Sequence, residues 1–134
     1  PMVEINAYSK AKDGGKKLSA NFTVKEFACK DGSDAVLTAP RLVMVLQSIR
    51  SHFAAPVVIH SAYRTPQYNA KVGGAAHSQH CYGTAADISV RGQTPAAVAA
   101  YARQLMPDWG GVGVYAGQGF THVDVRETRS DWTG

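Results

Sequence analysis

The sequence has few cysteines and no long apolar run. Two cysteines, Cys29 and Cys81, occur in 134 residues, which is too few for a small secreted fold held together by disulfides. Their separation does not fit a Cys-x-x-Cys metal knuckle. We expect free thiols, although a single bridge stays open as an alternative. No apolar run approaches the roughly 18 residues that a membrane-spanning helix needs, so no membrane span is expected.

Internal repeats, low-complexity segments and a dense basic cluster are also absent. The formal net charge is +4, but the Lys and Arg residues are scattered and no nucleic-acid recognition motif occurs. Nucleic acid is therefore not an expected partner, whereas another polyanion, such as an anionic wall polymer, suits the basic balance. No charged segment followed by an apolar core and a cleavage site begins the sequence. We therefore expect either a protein made without a leader or one from which a leader was removed before Pro1.

Length and composition are typical of one globular domain. A chain of 134 residues, with 45% hydrophobic and 18% charged residues, is of ordinary domain size and make-up. Such a chain buries about two-thirds of its unfolded surface, enough for a core without staples. We expect a single, monomeric domain over residues 1–134, with residues 1–20 as an irregular N-terminal extension.

Hydrophobic spacing and capping residues predict four helical segments. The clearest runs from about Pro40 to Phe53, where apolar residues recur at helical spacing on one face. Thr23 and Glu26 fit a capping box that opens a short helix. The predicted helices cover residues 24–29, 40–53, 66–72 and a segment from 95 to about 105.

Apolar runs bounded by turn residues predict the strands. Val3 and Ile5 favour the start of an edge strand, and residues 10–17 read as a loop because of Gly14 and Gly15. Further strands are expected over residues 57–59, 85–90, 110–115 and 120–126, the last two forming a hairpin. This order predicts an α+β fold in which helices pack on an antiparallel β-sheet.

Three residues near or on these strands have side chains suited to a metal. His80 follows a glycine-containing loop, Asp87 lies on the strand after it, and His122 lies on the last strand. Imidazole nitrogen and carboxylate oxygen are good zinc donors, and three protein ligands leave a fourth position open, as a hydrolytic site requires. By spacing alone such a trio also arises by chance, since a histidine on a strand is more often a hydrogen-bonded structural residue.

A longer motif surrounds two of these residues. The sequence reads Ser-x-His-x-x-Gly-x-Ala-x-Asp from residue 78 to residue 87, followed later by a histidine within a strand. It is similar to the signature of the zinc D-Ala-D-Ala carboxypeptidase and L-alanyl-D-glutamate endopeptidase family. The zinc site of that family resembles the hedgehog signalling domain in its fold. The fixed positions of the motif are Ser78, His80, Gly83, Ala85 and Asp87.

Two further segments extend the resemblance to about residues 22–132. Residues 61–66, Ser-Ala-Tyr-Arg-Thr-Pro, resemble the family's Ser-Gly-Tyr-Arg segment, with Ala62 in place of glycine. Residues 120–124, Phe-Thr-His-Val-Asp, resemble the ending found in small wall peptidases of the phage and prophage type. The resemblance implies a fold like that of the D-Ala-D-Ala peptidases and the hedgehog domain.

The resemblance also implies roles for individual residues. His80, Asp87 and His122 would hold Zn²⁺, and Arg64 would bind a carboxylate or carbonyl of the substrate through its planar fork of donors. Ser78 is expected beside the substrate and the metal loop, with simple loop capping as the alternative. Tyr82 is expected to line the cleft, although tyrosines in such places more often serve packing.

The sequence departs from the family pattern at the position of the general base. Many members carry Glu or His two or three residues before the last zinc histidine, where this chain has Gly119 and Phe120. Asp124 is the best substitute because side chains alternate along a strand, which places it on the same face as His122. It would either accept the catalytic proton or orient His122, and both roles stay open. His77 is a weaker candidate for the base.

The function implied by the resemblance is zinc-dependent hydrolysis of peptidoglycan stem peptides. The enzyme would be a D-Ala-D-Ala carboxypeptidase or an L-Ala-D-Glu-type endopeptidase that acts at the bacterial cell wall or periplasm. A phage endolysin made in the cytoplasm and released later is one expected setting. The alternative is a zinc-containing module that binds the wall or a protein without turnover.

Overall fold

The computed structural model describes residues 3–134, and its strands form two small ribbons and one five-stranded sheet. The β-strands are β1 (Asn6–Ser9), β2 (Lys17–Ser19), β3 (Phe22–Thr23), β4 (Ala35–Thr38), β5 (Val57–Ser61), β6 (Ala85–Val90), β7 (Gly111–Tyr115), β8 (Phe120–Asp124) and β9 (Ser130–Thr133). The α-helices are α1 (Lys10–Asp13), α2 (Pro40–Phe53), α3 (Pro66–Lys71) and α4 (Pro95–Leu105). The mixed α+β class and the largely antiparallel pairing are as expected from the sequence.

Helix α2 has the bounds that its apolar spacing predicts. Proline occupies its first position, where a missing N–H costs nothing. The helix ends where Ala54 adopts a left-handed conformation with φ of 49°. Leu42, Leu46 and Ile49 lie on its buried face and are almost fully enclosed. The helix thus contributes a continuous apolar stripe to the core.

The large sheet has the strand order β5-β6-β8-β7-β9. Its pairs are antiparallel except for β7 and β9, which run parallel. The β7–β8 hairpin is the one expected from residues 116–119. In the register of β6 and β8, Asp87 lies opposite His122 and Ala85 lies opposite Asp124. The register therefore brings two of the proposed metal ligands side by side.

Alternation along β6 and β8 separates the core from the site. Ile88 and Val123 are fully buried in the apolar core, and α4 packs against β6, β7 and β8. Because successive side chains point to opposite faces, Asp87, His122 and Asp124 project from the other face. The apolar side of the sheet fixes the strands that carry the polar side.

The N-terminal region contains more regular structure than its sequence indicates. The expectation of a loop over residues 10–17 is wrong for residues 10–13, because α1 forms there and the Ser9 side chain caps it by accepting from the backbone N–H of Lys12. Residues 14–16 form the expected loop. The edge strand begins at Asn6 rather than at Val3. Within residues 3–20, strands β1 and β2 pair with β4 and β3 respectively. Residues 1 and 2 of the expected extension lie outside the described part of the chain.

β4 and β9 are two of the strands that the sequence does not predict. β4 pairs with β1, and β9 pairs with β7. Each has only four residues, and β9, with the sequence Ser-Asp-Trp-Thr, lacks a β-type apolar pattern. Both strands form because the backbone of a neighbouring strand is available for hydrogen bonding. By contrast, the short helix near Val24 is confirmed as a 3-10 turn, Val24–Phe27, with its capping box in place.

No helix among residues 3–134 combines the length and the apolar character that crossing a bilayer requires. Cys29 is buried and Cys81 is half-buried, and both are free thiols. The expected free thiols are therefore confirmed.

Candidate metal centre

His80 is placed by a tight turn just before β6. It lies in a 3-10 turn, Gln79–Tyr82, whose first N–H groups are capped when Ser78 Oγ accepts from the backbone N–H of His80 at 3.2 Å. The turn ends at Gly83, whose φ of 75° disfavours other residues. A Cβ at Gly83 would also lie 2.6 Å from the carbonyl oxygen of Leu37. The glycine of the motif is therefore required both by the turn and by close packing.

The three expected ligands meet in one buried cluster. A donor atom from each of His80, Asp87 and His122 lies within 4.8 Å of the other two. His80 Nε2 is 3.3 Å from Asp87 Oδ2, and His122 Nδ1 is 3.0 Å from Asp87 Oδ1. All three residues are buried, so few water molecules compete for these donor atoms.

A hydrogen bond to a backbone carbonyl determines which ring nitrogen of His80 carries the proton. The Nδ1 atom of His80 lies 2.7 Å from the carbonyl oxygen of Ala62. A carbonyl oxygen only accepts, so Nδ1 carries the proton and donates. The lone pair of Nε2 then faces Asp87, as a metal ligand requires.

Asp124 determines which ring nitrogen of His122 carries the proton. His122 Nε2 lies 2.8 Å from Asp124 Oδ2, and an ionised carboxylate only accepts, so the proton resides on Nε2. In the neutral ring this leaves the Nδ1 lone pair directed toward Asp87. His80 and His122 therefore present different ring nitrogens, Nε2 and Nδ1, to the same space.

Asp124 is fully buried, and donors surround its carboxylate. Oδ1 accepts from the backbone N–H of Gly111 at 3.0 Å, and from the backbone N–H and Nε of Arg126 at 3.1 and 2.8 Å. Oδ2 accepts from Nη2 of Arg126 at 2.7 Å in addition to the His122 ring. These bonds fix the carboxylate on the side of His122 remote from Asp87.

The acidities follow from burial and these contacts. Burial raises the pKa of Asp87, but hydrogen bonds from His122 and His80 outweigh it and the net pKa is lowered. The pKa of Asp124 is lowered in the same way, against its burial, by hydrogen bonds from Arg126 and His122. Burial lowers the pKa of His122, but the bonds to Asp124 and Asp87 outweigh it and the net pKa is raised. Both carboxylates are thus ionised at neutral pH.

This donor set fits zinc. Two imidazole nitrogens with lone pairs directed inward and one ionised carboxylate form the two-histidine, one-carboxylate set of hydrolytic zinc sites. Each histidine also has a fixed partner on its other nitrogen, the arrangement that orients metal ligands in proteins. The net charge of the three ligands, −1 with neutral imidazoles, suits a divalent cation.

The three candidate ligands line a cleft of about 590 Å³. Arg64 and Arg126 lie along it, together with the aromatic side chains of Tyr115, Phe120 and Trp132. The indole of Trp132 donates to the hydroxyl of Tyr115 at 2.9 Å, and the ring centroids of Trp132 and His122 are 5.0 Å apart. The cleft therefore combines two cations with an aromatic wall beside the candidate ligands.

Arg64 reaches the centre, as its motif indicates. Its Nη2 lies 3.4 Å from Asp87 Oδ2, its Nε donates to Ser61 Oγ at 3.0 Å, and its Nη1 donates to Asn69 Oδ1 at 3.2 Å. Asn69 is itself buried and donates to the carbonyl of Ala75 at 2.8 Å. These bonds hold the guanidinium of Arg64 beside the metal ligands.

The structure places the other expected residues in different surroundings. Ser78 lines the cleft and caps the turn of His80, and His77 also lines the cleft. Tyr82 is 47% exposed and lies outside the residues that line the cleft. It is the last residue of the 3-10 turn, and the turn directs its side chain to solvent.

Three residues that line the cleft or support its side chains have no signal in the sequence. Trp132 lies on β9, far from the motif, and reaches the cleft only because β9 pairs with β7. Gly111 allows Asp124 to approach the backbone of β7, since a Cβ at Gly111 would overlap the Asp124 carboxylate. Asn69 lies within a short polar helix whose sequence resembles any surface helix. Only the pairing of strands and the packing of loops identify these three.

Comparison with known proteins agrees with this geometry. No curated protein matches the chain. A family model described as Peptidase M15 matches residues 18–124, which include the three candidate ligands, Arg64 and Asp124. The members of that family are metal-dependent peptidases that generally use zinc. The chain belongs to the Peptidase M15 family.

Proposed function

We propose that the protein hydrolyses stem peptides of bacterial peptidoglycan, at a bond that involves a D-amino acid. The observation that carries the proposal is the buried cluster of His80, Asp87 and His122, which lines a cationic cleft. The cleft is open to a peptide and its two arginines suit the carboxylates that stem peptides carry. We place this activity at the bacterial cell wall, in a monomeric enzyme such as a phage endolysin.

The three ligands have a defined chemical task. Bound there, zinc would polarise the scissile carbonyl and supply hydroxide at neutral pH. His80 and His122 offer lone pairs whose direction is fixed by Ala62 and Asp124. Asp87 supplies the charge that makes the site selective for a cation. The protein thus presents its ligands already oriented, which reduces the cost of ordering them.

Arg64 is proposed to position the substrate. Its guanidinium is largely buried, with 15% of the side chain exposed, and three acceptors hold it beside Asp87. A guanidinium has five N–H donors, so donors remain for a substrate carbonyl or carboxylate. Fixed in this way, Arg64 would place the peptide over the ligands without a large loss of side-chain entropy.

Asp124 is proposed to position His122 rather than to accept the catalytic proton. It is fully buried, both oxygens are occupied, and it lies behind the ring of His122 as seen from Asp87. Its lowered pKa also makes it a weak base. Arg126 completes this arrangement, because it binds Asp124 and lies with its guanidinium 5.3 Å from the ring centroid of Trp132.

The cleft lacks the carboxylate base of many family members. Among the described residues that line it, the one carboxylate is Asp87, a proposed ligand. Apart from the proposed ligands, His77 is the histidine among the described residues that line the cleft. This observation favours a second candidate function, a zinc-containing module that binds wall peptide without turnover.

The decisive experiment measures free amines released from purified peptidoglycan, with and without a chelator, together with the masses of the products. We expect release that the chelator abolishes and added zinc restores. Free D-Ala would identify a carboxypeptidase, and a cut after L-Ala would identify an endopeptidase. The matched control is His60→Ala, which removes an exposed histidine outside the cleft.

Failure has two distinguishable forms. If zinc-loaded protein binds the wall peptides but releases no amine from several wall types, the binding module is correct. If the protein holds no zinc at all, or if the His80→Ala and Asp87→Ala variants each retain one zinc per chain, the ligand assignment is wrong.

A further inference from the structure

A second groove lies away from the metal cleft. It has a volume of about 780 Å³, which is typical of a small-molecule site. Helix α2 forms one side of it, β1, β2 and β4 contribute from the N-terminal ribbons, and Tyr101 of α4 closes one end. No residue lines both this groove and the metal cleft, so the groove is a separate surface.

The lining of this groove combines apolar and polar side chains and carries no Lys, Arg, Asp or Glu. Hydroxyl and amide groups predominate among its polar side chains, with Asn6, Ser19, Thr38, Gln47, Ser48 and Ser51 among them. The metal cleft, by contrast, contains Arg64 and Arg126. Lys16 Nζ lies 5.5 Å from the ring centroid of Tyr8, but the lining itself offers a charged ligand no Lys, Arg, Asp or Glu in exchange for its lost hydration. The lining therefore favours a neutral ligand with hydrogen-bonding groups.

One buried hydroxyl in the groove has no partner. Thr38 is 2% exposed, and its Oγ1 makes no hydrogen bond within the described residues. Such a group is unusual in a folded protein, where buried hydroxyls nearly always find a partner. Since Thr38 lines the groove, a ligand hydroxyl or amide that reaches Oγ1 would satisfy a group that the fold leaves unsatisfied.

Flat and apolar surfaces complete the groove. The rings of His52 and Tyr101 stack with centroids 3.7 Å apart and an angle of 8° between their planes. Met44 is 63% exposed although it is a large apolar residue, and it lines the groove beside Leu18. A sugar ring has apolar C–H faces and polar edges, and an acetamido group adds a methyl and an amide. Aromatic faces, an exposed thioether and neutral hydrogen-bonding groups match those features.

We propose that this groove binds a neutral N-acetylated sugar of the glycan strand. The neutral, hydrogen-bonding character of the ligand follows from the groove itself, whereas the choice of N-acetylated sugar rests on the proposed function. Two parts of one substrate would then bind at two sites. The cationic cleft would bind the peptide with its carboxylates, and the neutral groove would bind the glycan. Binding at two places would raise the effective concentration of the peptide at the metal centre.

The test is a titration of the full chain with tri-N-acetylglucosamine, followed by amide chemical shifts. We expect saturable shifts at millimolar sugar for residues of α2 and β1, with and without zinc. Maltotriose, which has hydroxyls but no acetamido groups, should bind at least about tenfold more weakly. A stem tripeptide should shift residues of the metal cleft and leave the groove unchanged.

Matched variants distinguish a loss of sugar binding in the groove from a general effect of substitution on the protein. Met44→Lys places a charge in the groove and should weaken sugar binding by about tenfold or more. Val58→Lys makes the same kind of change at another exposed apolar residue, 52% exposed on β5 and outside the groove, and should leave binding unchanged. Thr38→Val removes the unpaired hydroxyl at constant shape, so it should weaken binding while the melting temperature stays equal or rises.

Three results would overturn the proposal. One is the absence of saturable shifts, or shifts confined to the metal cleft. Another is equal binding by Met44→Lys and the unchanged protein. A third is a dimer in solution that Met44→Lys dissociates, since the groove would then be a contact between two copies. Amine release from peptidoglycan is measured separately, so loss of sugar binding with activity retained rejects this proposal alone.

Discussion

Asp124 accepts a hydrogen bond from Nε2 of His122 at 2.8 Å, while Nδ1 of the same ring lies 3.0 Å from Asp87. The imidazole is therefore held between two carboxylates with different tasks. Asp87 faces the candidate metal position together with His122, and Asp124 fixes the proton on the remote nitrogen. Ligand histidines in metalloproteins commonly depend on such a partner for their orientation.

The first prediction concerns Asp124→Asn. This variant keeps the size of the side chain, but an NH₂ group that cannot accept replaces one of the two oxygens that accept from Gly111, His122 and Arg126. We expect zinc affinity to fall about 10- to 100-fold, as for other partners of metal-bound histidines. Competition with a chromophoric chelator measures the effect. If turnover disappears while zinc affinity stays the same, Asp124 is the catalytic base instead.

The second prediction concerns Gly111, whose α-carbon lies close to the Asp124 carboxylate. A Cβ there would overlap the carboxylate and push it away from His122. We expect Gly111→Ala to cost about 1–3 kcal/mol of folding stability, as overpacking commonly does, and to weaken zinc binding as well. The matched control is Gly117→Ala, because a Cβ at Gly117 meets nothing within 4 Å. Thermal melts and chelator competition on both variants check this, and equal behaviour of the two would contradict it.

The third prediction concerns the pH dependence of zinc binding. The pKa of His122 is raised in the metal-free protein by Asp124 and Asp87 against the effect of burial. Protonated His122 therefore stabilises the metal-free protein at low pH, and this stabilisation is lost as the pH rises through its raised pKa. Zinc needs the unprotonated Nδ1 atom, so its affinity should fall about tenfold per pH unit below that pKa.

Zinc dissociation constants measured from about pH 6 to about pH 8 give this slope. The lowered pKa of Asp87 predicts that this carboxylate stays ionised throughout the range. An affinity that does not change with pH would show that no proton is released when the metal binds. In Asp124→Asn the slope should begin at lower pH, because one of the two carboxylates that raise the pKa is gone.

The fourth prediction concerns Arg64→Lys. Lysine keeps the charge but lacks the planar fork that bonds Ser61, Asn69 and Asp87. We expect kcat/KM to fall about 10- to 100-fold, the loss that corresponds to about 1.5–3 kcal/mol for a charged hydrogen bond. Zinc content should be unchanged. Arg91→Lys, at an exposed arginine after β6, is the control, and an equal effect at both positions would argue against a positioning role.

The ligands and the main elements were accessible to sequence reasoning. The bounds of α2 and β6 follow from apolar spacing and from proline and glycine at the element ends. The motif from Ser78 to Asp87, with a later strand histidine, indicates the family that the comparison confirms. Local patterns suffice for these element bounds and for the motif, because each depends on residues near one another in the chain.

The alternation of side chains along a strand also predicted part of the candidate site. It placed His122 and Asp124 on one face, and the structure joins them by a hydrogen bond. The same rule could not decide what Asp124 does, because its role depends on Gly111 and on how the Arg126 guanidinium turns back on it. Tyr82 illustrates the converse, since adjacency to His80 in sequence did not bring its side chain into the cleft.

The sequence by itself determined the α+β class through its apolar periodicity, and its resemblance to the family indicated the trio of candidate ligands and Arg64. Only the tertiary structure decided which nitrogen each histidine presents, since Ala62 and Asp124 meet those rings through pairing and packing. It also decided that Trp132 faces the cleft and that a neutral groove lies beside α2. Those features join residues far apart in the chain, and their positions follow from strand register and loop packing, which no local pattern records.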